Sequence, residues 1–312
     1  MKLDFFTVLF STAVLVAYAI PGFLLRRKKL MTDQGLDGMS NLLIFVCQPM
    51  LTLSSFQAKG YEPGLLGGLG IMAVLAFVTQ LGMFFVVRPI FARYNRTDAQ
   101  KGVYVFASVL GNCGFMGIPL LKSLFPGNAD VILYAAVYIL IFNMITWTMG
   151  IYMLTGNAGY VKLRYAVLNP PVLMLAVALP LFFLNINLAE HVPSVADAVN
   201  VLGAMTTPLS MLIMGSRLAD MPVKDLLSDS AVYMGSAIKL LLMPALVWAL
   251  VLLLPIPQLL KTVLVLISAM PSGASVAAYA QKFKGDVYAA SKILLVCTLL
   301  SIITLPLVSL LL

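Results

Sequence analysis

GNCGFMGIP, Gly111–Pro119, lies inside Gly102–Leu121, a run without one charged side chain. About twenty apolar residues cross a bilayer as a single helix. This run nevertheless places three glycines, an asparagine and a proline near its centre. Glycine costs about 1 kcal/mol in a helix interior and proline about 3. Backbone groups released at that depth survive only where they are buried in protein or line an aqueous cavity. The stretch therefore reads as a helix built to break, with a solute bound at the break.

The rest of the chain has the same character. Of 312 residues, 61% are hydrophobic and 10% charged, where a soluble protein carries about 25% charged. Mean hydropathy is +1.01. Uncharged runs predict about ten spans, near 5–25, 38–58, 64–87, 102–121, 131–153, 166–188, 196–216, 230–254, 262–281 and 292–312. The fold class is an all-α polytopic membrane protein. Long apolar runs without period-two alternation exclude a barrel, and short loops leave no room for a soluble domain.

The net charge of +8 reports topology. Fifteen of the twenty basic residues fall on alternate loops, from Arg26, Arg27, Lys28 and Lys29 after the first span to Lys282, Lys284 and Lys292 after the ninth. Lys162, Arg164, Arg217 and Lys224 belong to the same set; the other face has Lys2, Lys59, Lys122 and Lys261. Cytoplasmic loops carry the basic excess, so both termini are expected outside, and no nucleic-acid partner is expected. The first span is expected to be retained as a helix, because its basic residues follow its apolar core and a signal peptide's precede it. Cys47, Cys113 and Cys297 fall within spans, without a pairing pattern, and read as packing residues.

The chain also repeats itself. Setting KGVYVFASVLGNCGFMG (101–117) over KTVLVLISAMPSGASVA (261–277) matches Lys101 with Lys261, Val103 with Val263, Val105 with Val265 and Ser108 with Ser268. GNCG (111–114) then meets PSGA (271–274), so both segments lose regularity at one offset. Asp37 and Asp197 each precede a mid-span proline, Pro49 and Pro208, by twelve and eleven residues. Two halves, 1–155 and 163–312, thus hold five spans each. An odd number inverts the second half, a known transporter plan. Gly, Ala and Ser also pack ordinary membrane helices, so the shared offset of the two breaks carries the inference.

Crossed breaks bring four half-helix ends together, N–H groups for an anion and carbonyls for a cation. The candidate site is Gly111, Asn112, Cys113, Gly114 and Ser108 from one break and Pro271, Ser272, Gly273 and Ser275 from the other. Gly117, Pro119 and Pro271 are the candidate hinges. Asn143 in the fifth span either faces the crossing or bonds a neighbouring helix.

GNCGFMGIPLLKSLFPG (111–127) resembles the fourth-helix crossover motif of the auxin efflux carrier family. Asn169-Pro170, Pro244 and MPSGASVAAYAQKF (270–283) follow in matching order, and the likeness covers essentially the whole chain. The family includes plant PIN-type auxin exporters and bacterial carriers of malonate and malate. Residues 154–165 make only a short connector, similar to bacterial members. The resemblance implies the inverted-repeat fold of bile-acid-type sodium symporters and sodium/proton antiporters, with helices 4 and 9 broken. It implies a scaffold of helices 1, 2, 6 and 7, a transport domain of helices 3–5 and 8–10 moving as an elevator, a homodimer through the scaffold, and the inner (plasma) membrane. It makes Asn112 the residue expected to touch substrate.

All twelve acidic residues, among them Asp225 and Asp229, lie in loops or at span ends, and the one histidine, His191, is in an outer loop. A proton antiporter needs an ionisable acid or histidine at depth, which disfavours that version of the fold. Sodium stays open as a coupling ion; no cofactor or metal is expected. Lys239 is the one charge within a span. It either serves an anionic substrate, stands in for a bound cation, or has a structural role, snorkelling to the headgroups or tying down a carbonyl. A zinc peptidase needs an HExxH-type pair and a serine hydrolase a buried base; neither is present. The expected function is secondary transport of a small organic acid such as auxin, malonate or malate. A sodium-coupled symporter of another anion, such as a bile-acid-like compound, and a channel are the alternatives.

Overall fold

The computed structural model describes the chain except for residues 1, 2, 158, 160, 162, 163, 165, 166, 223–228, 274 and 284. Lys2, Lys162, Lys224, Asp225, Ala274 and Lys284 thus lie outside the described residues. The helices run α1 (Phe5–Arg27), α2 (Asp33–Phe56), α3 (Leu65–Ala92), α4 (Asp98–Val109), α5 (Cys113–Leu124), α6 (Ala129–Thr155), α7 (Pro170–Phe183), α8 (Pro193–Ala219), α9 (Ser230–Leu252), α10 (Gln258–Ser268), α11 (Ser275–Lys282) and α12 (Val287–Ser309).

Among the described residues seven helices are long and apolar enough to cross a membrane: α1, α2, α3, α6, α8, α9 and α12. Two of the ten expected spans are interrupted, as their breakers predict, and a third is shorter than expected. Spans 102–121 and 262–281 are each two short helices, α4 with α5 and α10 with α11. Span 166–188 contracts to α7. Asn169 precedes a proline and is held extended, at ψ 148, so α7 begins at Pro170. Beyond Leu184 the backbone turns left-handed at Asn185, φ 55.

Polar residues in the loops set the starts. Asp4, Thr32, Thr97, Asn128, Asn169, Asp229 and Asp286 each accept a backbone N–H from the first turn of the helix that follows. This is ordinary N-capping, and it is one reason why carboxylates gather at span ends. Three interior prolines are handled alike. Leu43–Cys47, Cys113–Gly117 and Ile238–Leu242 are widened π turns placed just ahead of Pro49, Pro119 and Pro244. Proline clashes with the carbonyl four residues back; a wider turn moves that carbonyl aside.

α6 is the central helix, 72% of its apolar window buried, while α1 and α2 are 33% buried and peripheral. α1 and α8 meet backbone to backbone. A Cβ on Gly22 would overlap Leu212, and one on Gly215 would overlap Ala19. Ser216 Oγ then donates to the Gly22 carbonyl at 3.0 Å. Small residues permit this approach, where dispersion and a polar contact replace the absent hydrophobic drive.

At the basic end, one buried carboxylate joins three elements. Asp229 accepts from Arg96 Nη2 at 2.8 Å, Lys292 Nζ at 2.9 Å and Tyr104 OH at 2.9 Å. Burial pushes the Asp229 carboxyl up, but the hydrogen bonds from Lys292 and Tyr104 and the charge of Lys292 outweigh it and hold it below its ordinary value. A carboxyl lowered in the fold stabilises fully above its unfolded pKa, about 3.9, and the benefit is lost as pH falls through the folded value. Asp229→Asn is expected to cost on the order of 3 kcal/mol at pH 7 by leaving two cations without their counter-charge. Thermal unfolding in detergent checks it. The Tm gap to wild type should narrow below about pH 4, and an unchanged gap at pH 3 would contradict the assignment.

Candidate functional site

The first break occupies three residues. α4 ends at Val109; Leu110 turns extended at φ −96, ψ 115, and Asn112 sits at φ −81, ψ 49 before α5 begins. The second break follows Ser268 and runs to Ser275. The two breaks pair antiparallel through a bridge between Gly111 and Ser272. On one side Asn112 N donates to the Pro271 carbonyl at 2.6 Å, and on the other Gly273 N donates to the Leu110 carbonyl at 3.3 Å. Backbone released from one helix thus satisfies backbone released from the other, as a low-dielectric interior demands.

The carbonyl ends of α4 and α10 converge beside this bridge. Lys239 reaches between them. It is 1% exposed, and its Nζ donates to Val109 O at 3.4 Å and Ser268 O at 3.0 Å, with Met243 Sδ at 3.1 Å. The π turn Ile238–Leu242 carries it. A cation between two negative dipole ends is favourable. Among the described residues no carboxylate lies within ion-pair distance of it. Lys239 is therefore at the crossing, and the snorkelling alternative is set aside: a side chain bound on both sides by helix carbonyls does not reach the headgroups. Gly111 makes room for it, since a Cβ there would sit 2.8 Å from the Lys239 Nζ and 3.0 Å from the Met270 carbonyl.

The remaining candidates divide. Asn112 is 2% exposed and its Nδ2 has no hydrogen-bond partner, an orphaned donor at the crossing. Ser108, Ser268 and Ser272 use their hydroxyls on the carbonyls of Tyr104, Val265 and Ala107. Ser272 N approaches Cys297 Sγ at 3.3 Å, and Cys113 is buried as a free thiol. Gly117 and Pro119, expected as hinges, lie inside α5, past the break. The Asn112 carbonyl accepts from both Met116 N and Gly117 N at 3.2 and 3.1 Å, so the widened turn absorbs the proline and the chain opens only at 110–112. Pro271 does lie in its break.

Two small clefts flank the crossing, and Phe115 lines both. The first, about 30 Å³, includes Gln48, Thr52, Ser55, Gly114 and Asn143 in its wall. The second, about 20 Å³ toward the basic end, includes Ser40, Ile213, Arg217 and Ser275. Each has space on the scale of one water. The first brings Asn143 and Gly114 together with residues not anticipated: Gln48, Thr52 and Ser55 of α2. Those three recur at helical spacing, a polar stripe that is legible in the sequence.

The family model described as membrane transport protein matches residues 7–165 and again residues 160–309. The chain belongs to the auxin efflux carrier family. It is a multi-pass membrane transport protein and not an enzyme. No curated protein matches the chain significantly. In this auxin efflux carrier family member the two matches meet between α6 and α7, and each match contains one of the paired breaks.

Lys239 and Gly111 are expected to be energetically coupled. Lys239→Ala bares two buried carbonyls, at about 1–3 kcal/mol each. Gly111→Ala pushes a methyl against the ammonium. The double variant should cost less than the sum of the two singles, because the new methyl enters the space the lysine leaves. Tm values of the four proteins in detergent measure this; strict additivity would separate the two residues.

Proposed function

We propose that the chain is a secondary carrier of small organic anions, carboxylates such as auxin, malonate or malate, working by elevator-type alternating access. One observation carries the reading: a buried ammonium, without a carboxylate partner among the described residues, at the crossing of two unwound stretches. The orphaned Asn112 Nδ2 lies in the same crossing. A fixed positive charge and a free donor suit a carboxylate.

On this reading α4 with α5, and α10 with α11, are each one interrupted crossing, and α7 is a short one. Ten crossings then form two inverted five-helix repeats, 1–155 and 163–312, which the twofold match of the family model supports. The basic end is cytosolic and both termini are outside, by the positive-inside rule. α1, α2, α7 and α8 form the scaffold; α3–α6 and α9–α12 form the moving domain. The cleft walled by α2 and α7 on one side and α5 and α6 on the other supports that division. Substrate would enter this seam and meet Asn112 and Asn143, with Phe115 parting the two clefts. A homodimer through the scaffold and residence in the inner (plasma) membrane go with the same reading. Lys239 takes the carbonyl-lined place where a coupling cation would bind, so sodium is not required.

Purified protein in liposomes tests the assignment by uptake of labelled malonate, malate and indole-3-acetate. Saturable uptake of at least one acid is expected. Asn112→Ala and Asn143→Ala, confirmed as folded, should each lower kcat/KM by about 10-fold or more, the cost of one hydrogen bond to a charged group. Flux that never saturates would favour a channel. No uptake of any acid would remove the organic-anion reading.

A further inference from the structure

A second cavity lies away from the crossing, at the basic end of the molecule. Its volume is about 640 Å³, within the range of ligand pockets. α3, α4, α6 and α11 enclose it, with no residue of α1, α2, α7 or α8 in its wall. It is thus separate from the seam proposed for the transported acid.

Three cations face it: Arg88 from the end of α3, Lys101 from the start of α4 and Lys282 from the end of α11. Asp98 is the acidic residue among the described lining. Three other cations at this end are matched, Arg96 and Lys292 by Asp229 and Arg26 by Asp33 and Asp220. Arg88, Lys101 and Lys282 have no carboxylate within 4.0 Å among the described residues. Aromatic faces hold two of them without neutralising them. The Arg88 guanidinium is 5.9 Å from the rings of both Phe84 and Tyr152. The Lys282 ammonium is 5.2 Å from Trp147. Such contacts fix a cation and leave its N–H groups for an anion.

α3, which lends Phe84, Arg88 and Ala92 to the wall, also carries an exposed apolar face. Val74, Val78 and Phe85, spaced to share one face of α3, are 61%, 50% and 62% exposed. Arg88 follows these residues toward the basic end of the same helix, at i+3 from Phe85. We propose that this cavity binds a phosphate-bearing anion, presented as the headgroup of an anionic lipid. Basic pockets between membrane helices recognise such headgroups. The leaflet that supplies the lipid rests on the cytosolic assignment of the basic end; the binding site itself does not.

Full-length protein in neutral detergent tests the proposal without any transport step, so its failure is distinct from failure of the carrier reading. Native mass spectrometry would titrate phosphatidylglycerol, phosphatidylcholine with the same acyl chains, and glycerol 1-phosphate. Phosphatidylglycerol should bind in preference to phosphatidylcholine. Arg88→Gln/Lys282→Gln should weaken it about 30-fold, roughly fivefold per cation. Lys28→Gln/Lys29→Gln, the same charge change outside the cavity, should leave it within about twofold; this control also exposes a general loss of attraction. Glycerol 1-phosphate binding as tightly as the lipid would keep the phosphate site and assign it to a soluble ester. Equal loss in both variants, or no preference among the three ligands, would overturn the site. If the cavity variant misfolds, Lys101→Gln alone should give the fivefold step.

Discussion

The ammonium of Lys239 between two helix carbonyl ends is the contact on which the centre of this protein depends. Two broken helices bring bare backbone and two negative dipole ends to one buried point. The backbone is answered by the antiparallel bridge of Gly111 and Ser272. The dipole ends are answered by one positive charge that touches both. Desolvating a lysine is costly, and a side chain placed there at that cost holds α4, α9 and α10 as a unit. Gly111 is the complement of the lysine, because a Cβ there would come within 2.8 Å of its Nζ.

From that fixed point the rest follows outward. Two clefts that share Phe115 lie along one seam, the first between α2 and α7 on one side and α5 and α6 on the other, the second between α2 and α8 on one side and α5 and α11 on the other. The crossing satisfies its own backbone through the Gly111–Ser272 bridge and so needs no hydrogen bond across that seam. The tight α1–α8 contact at Gly22 and Gly215 gives the opposite wall its stiffness. At the basic end, Asp229 ties α4, α9 and α12 together, which lets the helices around the crossing act as one body.

Much of this was legible in the sequence. The glycines, Asn112 and Pro271 announced the breaks, and the shared offset paired them. The location of the opening was less legible. Pro119 seemed a breaker, yet a π turn absorbed it, as similar turns absorbed Pro49 and Pro244; turn widening depends on neighbouring packing that a linear pattern does not encode. Lys239 was visible as a charge in a span, but its facing was not, because α9 is apolar on all sides. Ser108 and Ser272 had the right chemistry for a ligand, and local carbonyls claimed them first. Gln48, Thr52 and Ser55 stand in plain helical register, but Thr and Ser also bond back to their own helix, as Thr52 and Ser55 do here, so the stripe by itself does not mark a cleft.

The central claim is that the lysine stands where a coupling cation would otherwise sit. It is tested most directly by initial uptake rates in liposomes, with an inward sodium gradient or with choline in its place. The expected result is the same rate in both. A rate that rises saturably with sodium in the wild-type protein would mean that a cation is bound elsewhere in the transport cycle, and would contradict the role given to Lys239.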